Sequence, residues 1–247
     1  MKIDNAVILA AGFSSRFAPV SHICPKPLLP VRGEILIERQ IRQLRAAGIA
    51  DIYIVTGYLG ERFQYLEDLL SVRIIRNPEY QTRNNHSSIY YAREVLANSC
   101  ICCADDYFPE NPFHAEEPRP FYSALYSDGP TEEYCLTTDE SGRITDVRIG
   151  GARSWYMLGH VCWDEAFTAD YLRFLLEAYP QPRFRDAYWE TIYMEHLPEL
   201  TLYQKNYAPG SILEFDTLEE LRAFDPFYRD KTMEQLLGEL RSRFPEG

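Results

Sequence analysis

Hydrophobic positions in the N-terminal half of the chain come in short continuous runs that alternate with stretches of helical spacing. Ala6 to Leu9 is an apolar run that ends in Ala10-Ala11-Gly12, which predicts a buried strand and a tight turn. Ile35 to Ala47 carries Ile and Leu at helical spacing and closes on Gly48, a helix stop signal. Asp51 to Val55 predicts a second strand, Glu61 to Leu70 a second helix and Val72 to Ile75 a third strand. Ser87 to Leu96 predicts a third helix, and Ser99 to Ala104 a fourth strand ending in Asp105-Asp106. Such alternation builds a parallel sheet with right-handed crossovers. Residues 11 to 33 interrupt it with Gly, Ser, Pro and basic residues; a connection that long in a compact domain is usually functional.

The pattern changes after about residue 119. PFYSALYS, EEYCLTT, RITDVRIG and SWYMLGHVCW are β-rich and separated by Asp128-Gly129 and Ser141-Gly142, so separate strands joined by turns are expected. Helices return at Glu165 to Ala178 and Tyr188 to His196, followed by late strands in LTLYQKNY and SILEF. Thr217 to Phe224 is a short helix with Glu220 placed for a capping box. The expected fold is α/β: a Rossmann-like, mixed but mainly parallel sheet flanked by helices, with a β-rich C-terminal lobe. The expected organisation is one domain over 1–229, with a nucleotide-binding half (1–118) and an acceptor-binding half (119–229). A charged amphipathic tail helix over 230–247 completes it.

Composition narrows the function. The chain has 247 residues, 46% hydrophobic and 25% charged, enough to bury a core without staples. Nothing approaches the roughly 20 apolar residues of a membrane helix, and the N-terminus reads as a strand, so a cytoplasmic protein without membrane insertion is expected. The net charge of -12 argues against nucleic acid as a partner, which needs a basic face. An acidic protein that handles phosphates needs local cations or a metal. The six cysteines, Cys24, Cys100, Cys102, Cys103, Cys135 and Cys162, contain no C-x-x-C pair. Cys100, Cys102 and Cys103 read as small residues of a buried strand, with zinc or a disulfide as the alternative. The five histidines show no ligand spacing and read as structural or surface residues.

Chemistry concentrates in Leu9-Ala10-Ala11-Gly12-Phe13-Ser14-Ser15-Arg16-Phe17 followed by Pro25-Lys26-Pro27-Leu28-Leu29-Pro30. A strand that feeds a small-residue loop exposes backbone N–H groups that can cradle phosphate oxygens. Arg16 and Lys26 add fixed positive charge for a triphosphate. The loop is neither a Walker loop nor the dinucleotide fingerprint. Asp105-Asp106 ends a central strand, where a carboxylate points into the ligand crevice and suits magnesium; a solvated turn is the alternative. In Glu214-Phe215-Asp216, strand geometry puts both acids on one side. Asn84, Asn85 and Ser88 offer amides and a hydroxyl for a base edge and ribose, or for capping the third helix. Tyr134, Tyr188 and Trp189 offer aromatic faces, and Glu133, Asp186 and Glu190 nearby charge, for an amine; the alternative is that the rings fill the core.

L-A-A-G-x-S-S-R-F with P-K-P-L-L-P resembles the signature of the MobA-like and sugar nucleotidyltransferase superfamily. N-N-x-x-S-x-Y, L-A-N-S, A-D-[ND]-Y, Y-W-[DE] and I-x-E-x-D narrow the resemblance to bacterial choline-phosphate cytidylyltransferases, from residue 3 to about 225. The resemblance implies that Leu9, Ala10, Ala11, Gly12, Ser14, Ser15, Arg16, Lys26, Asn84, Asn85 and Ser88 bind the nucleotide, with Lys26 on phosphate. It selects Asp105 over Asp106 as a Mg2+ ligand, completed by Glu214 and Asp216. Lys26, Arg16 and Asp105 are the implied catalytic residues. Tyr134, Glu133, Asp186, Tyr188, Trp189 and Glu190 are the implied acceptor-binding residues. The implied reaction is CTP plus phosphocholine giving CDP-choline and pyrophosphate. Alternatives are transfer to phosphoethanolamine, 2-aminoethylphosphonate or a sugar 1-phosphate, or a catalytically silent nucleotide-binding regulator. Tyr134 stands where the family carries Trp, which bears on the exact amine, and the tail after Phe224 has no counterpart.

Overall fold

Strand–helix alternation holds through the N-terminal half. The computed structural model describes residues 1–244. β1 (Asn5–Ala10) leads into a long connection built from single 3-10 turns at Ser15–Phe17, Val20–His22 and Lys26–Leu28. A small hairpin, β2 (Pro30–Val31) and β3 (Glu34–Ile35), precedes α1 (Leu36–Ala46) and β4 (Asp51–Thr56). Then come α2 (Tyr65–Leu70), β5 (Arg73–Arg76), α3 (His86–Ala92), β6 (Ser99–Cys103) and the short β7 (Asp106–Tyr107). The rest comprises β8 (Phe121–Thr138), β9 (Ile144–Cys162), α4 (Glu165–Ala178), α5 (Trp189–Glu195) and β10 (Tyr203–Asn206). It closes with β11 (Leu213–Glu214), α6 (Leu218–Phe224), α7 (Pro226–Arg229) and α8 (Met233–Arg243).

One seven-stranded sheet runs through both halves in the order β10-β8-β9-β6-β1-β4-β5. β1 pairs in parallel with β4 and β6, and β9 joins β6 antiparallel. β1 shows how the sheet is covered twice. Ala6, Ile8 and Ala10 point into a core with α1, α2 and α8, whereas Val7 points into a second core with α3, α4 and α5. The near-continuous apolar run is the mark of a strand buried on both faces.

Several expected elements differ. The helix from Glu61 to Leu70 opens as a 3-10 turn at Gly60–Phe63, because Arg62 and Gln64 donate to the carbonyls three residues back. The helix expected to reach Leu96 stops at Ala92, where Val95 bonds back to Ala92 in the same tight way. The separate strands after residue 119 fuse into β8 and β9. Asp128-Gly129 is no turn but a break in register between Ser127 and Pro130, with the Ser127 hydroxyl donating to the Gly129 carbonyl at 3.0 Å. Ser141-Gly142 is the real turn, with Gly142 at φ 82°. The strand expected in SILEF shrinks to Leu213–Glu214. The Thr217–Glu220 capping box is present. The tail is helical from Met233 to Arg243, and the end of its expected span lies outside the described residues. Cys100 departs from the expected free core thiol: facing Cys162 across β6 and β9, it forms a disulfide with it. Cys24, Cys102 and Cys135 are buried and free, and Cys103 is free and half-buried. Among the described residues no helix is long and apolar enough to cross a membrane.

Candidate active site

The carboxyl edge of β1 opens a cavity of about 650 Å³. Leu9, Ala10, Ala11, Gly12, Ser14, Ser15 and Arg16, the loop expected to hold phosphate, form one wall of it, and Lys26 comes back to line it from the third 3-10 turn. Ser14 takes a left-handed conformation (φ 51°), which reverses the chain and brings Arg16 over the opening. A Cβ built on Gly12 meets nothing within 4 Å, so the space beside this backbone is left for a ligand. Asn84, Asn85 and Ser88 line the cavity at the start of α3, and Asp105, Glu214 and Asp216 complete it. Asp106 lies behind the wall. It is buried opposite Glu214 in the β7–β11 pair, with Oδ2 unpartnered, so burial and then Asp105 and Glu214 push its pKa well up. Glu214 is in β11 whereas Asp216 lies just past it; the buried Phe215 between them packs near Tyr107 and Phe224.

Two ion pairs knit the charges together. Lys26 Nζ stands 3.0 Å from Asp105 Oδ2, and Arg16 Nη2 stands 2.6 Å from Asp216 Oδ1. Burial opposes the Lys26 charge, but Asp105, backed by Glu214 and Asp216, outweighs it and holds the ammonium above its ordinary pKa. Glu214 makes no ion pair among the described residues: burial, then the charge of Asp105, push its carboxyl up to about 8 against the opposing pull of Lys26. Among the described residues no three His, Cys, Asp or Glu side chains are gathered closely enough to hold a metal ion. The donor chemistry nevertheless fits a hard cation. Three carboxylates share one cavity wall, and the crowded Glu214 would be relieved by positive charge beside it.

The start of α3 is sewn to the segment before α5. Asn84 Nδ2 donates to the Asp186 carbonyl at 3.3 Å, and His86 Nδ1 lies 2.7 Å from the Ala187 carbonyl. The Trp189 backbone N–H donates to Asn85 Oδ1 at 2.7 Å. These bonds, rather than side-chain capping of α3, occupy the Asn pair. They bring Asp186 and the half-exposed Tyr188 into the same cavity as the phosphate loop. Trp189 goes elsewhere. Its ring is 1% exposed, stacked on Tyr122 and packed edge-on against Trp163 and Tyr171. It is a core residue, not an exposed aromatic face. Glu190 is buried as well; its Oε1 accepts from the Tyr122 hydroxyl at 3.1 Å, and burial pushes its carboxyl up to about 7. Glu133 and Tyr134 lie on β8 outside the cavity lining. Burial and then Asp216 raise the Glu133 pKa, and burial and then Glu190 raise that of Tyr134.

Phe13, Asn77, Tyr80, Gln81, Thr82 and Arg83 also line the cavity but carried no sequence expectation. The signal available was position: Asn77 to Arg83 connects β5 to α3 at the ligand-binding edge of the sheet. Glu79 fixes this connection by accepting from Arg83 Nε and the Tyr91 hydroxyl, both at 3.1 Å, and from the Tyr179 hydroxyl.

Residues 6–109 match the family described as MobA-like NTP transferase domain. The chain is 32% identical over 227 residues to the choline-phosphate cytidylyltransferase of Streptococcus pneumoniae, covering 92% of this chain and 99% of that one. It is 35% identical over 230 residues to the 2-aminoethylphosphonate cytidylyltransferase of Lancefieldella rimae, covering 91% and 93%. A solved structure of the Streptococcus pneumoniae CTP:phosphocholine cytidylyltransferase superposes with a TM-score of 0.87, covering 92% of this chain and 99% of that one at 32% identity.

Proposed function

The chain belongs to the choline-phosphate cytidylyltransferase family of MobA-like nucleotidyltransferases, and from that premise we propose that it transfers the cytidylyl group of CTP to phosphocholine. An oxygen of the acceptor phosphate attacks the α-phosphorus in line. The bond from that phosphorus to the bridging oxygen breaks, and pyrophosphate leaves. Such a transfer asks little covalent work of the protein, so positioning and charge neutralisation dominate. The observation that carries the reading is one cavity lined by the phosphate loop with Arg16 and Lys26, the Asn84–Asn85–Ser88 edge, and Asp186 with Tyr188. The loop N–H groups and Ser14 and Ser15 bind phosphate oxygens; Asn84, Asn85 and Ser88 face the nucleoside. Arg16 and Lys26, which the resting protein pairs with Asp216 and Asp105, turn to the departing pyrophosphate.

Asp105, Glu214 and Asp216 would hold magnesium, which neutralises phosphate charge when bound. Acceptor recognition by Asp186 and Tyr188 is supported by their place in the wall, which Glu133, Tyr134 and Glu190 do not line. A nucleoside triphosphate substrate supports a cytoplasmic setting. One observation favours a second acceptor, 2-aminoethylphosphonate. Tyr188 is the only one of the three expected amine-facing rings in the wall, and a primary ammonium asks for directed acceptors more than for a cage of rings. Pyrophosphate release, measured for the four nucleoside triphosphates against phosphocholine, phosphoethanolamine and 2-aminoethylphosphonate, tests both. Turnover is expected with CTP and phosphocholine, lost on adding EDTA. Indifference to the nucleotide, or silence with every acceptor, rules the assignment out.

A further inference from the structure

Lys26 is buried in a single 3-10 turn, ahead of a hairpin of two two-residue strands and against α1. Residues from the far end of the chain secure it on both flanks. On its C-terminal side, the Tyr228 hydroxyl, fully buried, donates to the Pro30 carbonyl at 2.7 Å. The Arg32 N–H donates to Asp225 Oδ2 at 2.6 Å, which fixes a residue in the left-handed region (φ 52°). The Arg32 guanidinium also lies over the Phe224 ring, 4.5 Å from its centre. Asp225 itself is 4% exposed, and its Oδ1 accepts from the Phe227 N–H, so it is not free to swing away. On the N-terminal side, α8 packs against the turn Val20–His22, with Leu236 and Leu240 fully buried in the core that holds Val20, Ile23 and Cys24. The last turn of the segment is tied as well, by Arg62 Nη1 donating to the Phe244 carbonyl at 3.1 Å.

We propose that residues 224–244 form a strap that positions Lys26 for the nucleotide, with Asp225 and Tyr228 as its positioning residues. Neither residue lines the cavity, so neither acts by touching substrate. Between the two tied flanks lies the turn around Lys26, whose backbone is set by Leu28 N–H bonding to Pro25 and Leu29 N–H to Lys26, with α1 packed against it and the Leu36 N–H donating to the Leu29 carbonyl at 3.1 Å. Loosening either flank lets this turn drift, and a lysine displaced by about an ångström loses much of its value to a charged ligand. The inference rests on Lys26 serving the triphosphate.

The test uses full-length Tyr228→Phe and Asp225→Asn, each alone and with Lys26→Ala. Two quantities are read: the dissociation constant for CTP with magnesium, and backbone hydrogen exchange at Leu28 and Leu29 in the ligand-free protein. Each strap variant should speed exchange at these two amides and weaken CTP binding about fivefold, and should add nothing once Lys26 is alanine. A merely structural role would weaken binding equally in both backgrounds. That additivity, or unchanged exchange at Leu28 and Leu29, overturns the proposal. Coupled CTP binding without turnover of any acceptor would instead leave the strap standing and remove the acceptor assignment. A wild-type chain that binds no CTP removes both.

Discussion

Tyr188 and Trp189 are neighbours in sequence with opposite fates. Tyr188 is 47% exposed in the cavity wall, and Trp189 is 1% exposed among Tyr122, Trp163 and Tyr171. Tyr188 is the extended cap residue just before α5 and Trp189 is the first residue of the helix, so the chain changes direction between them and one faces the cavity and the next the core. Tyr188→Ala should therefore raise the acceptor KM while changing unfolding free energy by no more than about 0.5 kcal/mol. Trp189→Ala should cost about 3–5 kcal/mol of stability through the cavity it leaves. Trp189→Phe, a smaller loss, should leave the acceptor KM near wild type. Denaturant unfolding beside steady-state kinetics reads all three. An acceptor KM raised by Trp189→Phe without loss of stability would return the indole to the substrate. Sequence could not separate the two residues, since an aromatic face for a ligand and one for a core are the same chemistry; burial alone decides.

At the scale of elements, two glycines at the cavity differ in what a methyl group would meet. Gly12 has open space beside it, whereas a Cβ at Gly57, just past β4, would lie 2.6 Å from Tyr80 Cβ and 2.8 Å from the Ala11 carbonyl oxygen. Gly57 thus lets the β4 edge, the phosphate loop and Tyr80 close on one another, and the Tyr58 N–H donates to that same Ala11 oxygen at 3.2 Å. Gly12→Ala should leave the melting temperature unchanged or slightly raised and weaken CTP binding roughly tenfold, about 1.4 kcal/mol. Gly57→Ala should weaken binding and also destabilise by about 1–3 kcal/mol, since backbone must move. Thermal unfolding and CTP titration distinguish them; a Gly12→Ala protein that binds CTP normally would mean the ligand does not approach this loop. The loop itself was legible, because small residues after a first strand leave few other uses, and so were β1, α1, β4 and α4. The fusion of β8 and β9 was not: Asp128-Gly129 reads as a turn locally, and only the pairing partner turns it into a bulge. Nor was the Cys100–Cys162 bond, which depends on β6 and β9 becoming neighbours across a long sequence separation.

The whole molecule is joined where β9, β10 and the segment after β7 meet around His160. The imidazole is buried among Phe108, Phe113, Phe121 and Tyr207, with Nδ1 unpartnered among the described residues. The nearby charges are Lys205 and His114, both held by Glu117 at 2.7 and 3.3 Å. Burial, then Lys205 and His114, push the His160 pKa from the ordinary 6.5 down to about 3. The unfolded chain therefore binds a proton below pH 6.5 that the folded one refuses until about pH 3. The stability that neutral His160 permits is complete above pH 6.5 and is lost as the pH falls through that window, approaching about 1.4 kcal/mol per pH unit. Glu190 and Glu214, whose pKa values are raised to about 7 and about 8, act with the opposite sign, gaining stability as they protonate. Comparing wild type with His160→Leu cancels them, since both proteins keep those carboxyls. The difference in unfolding free energy, measured by denaturant titration at steps from pH 7 to pH 4, should move steadily in favour of His160→Leu below about pH 6. A difference that stays flat would mean that His160 takes up its proton in the folded protein as readily as in the unfolded chain. The aromatic pocket joining the two halves would then be open to water rather than closed.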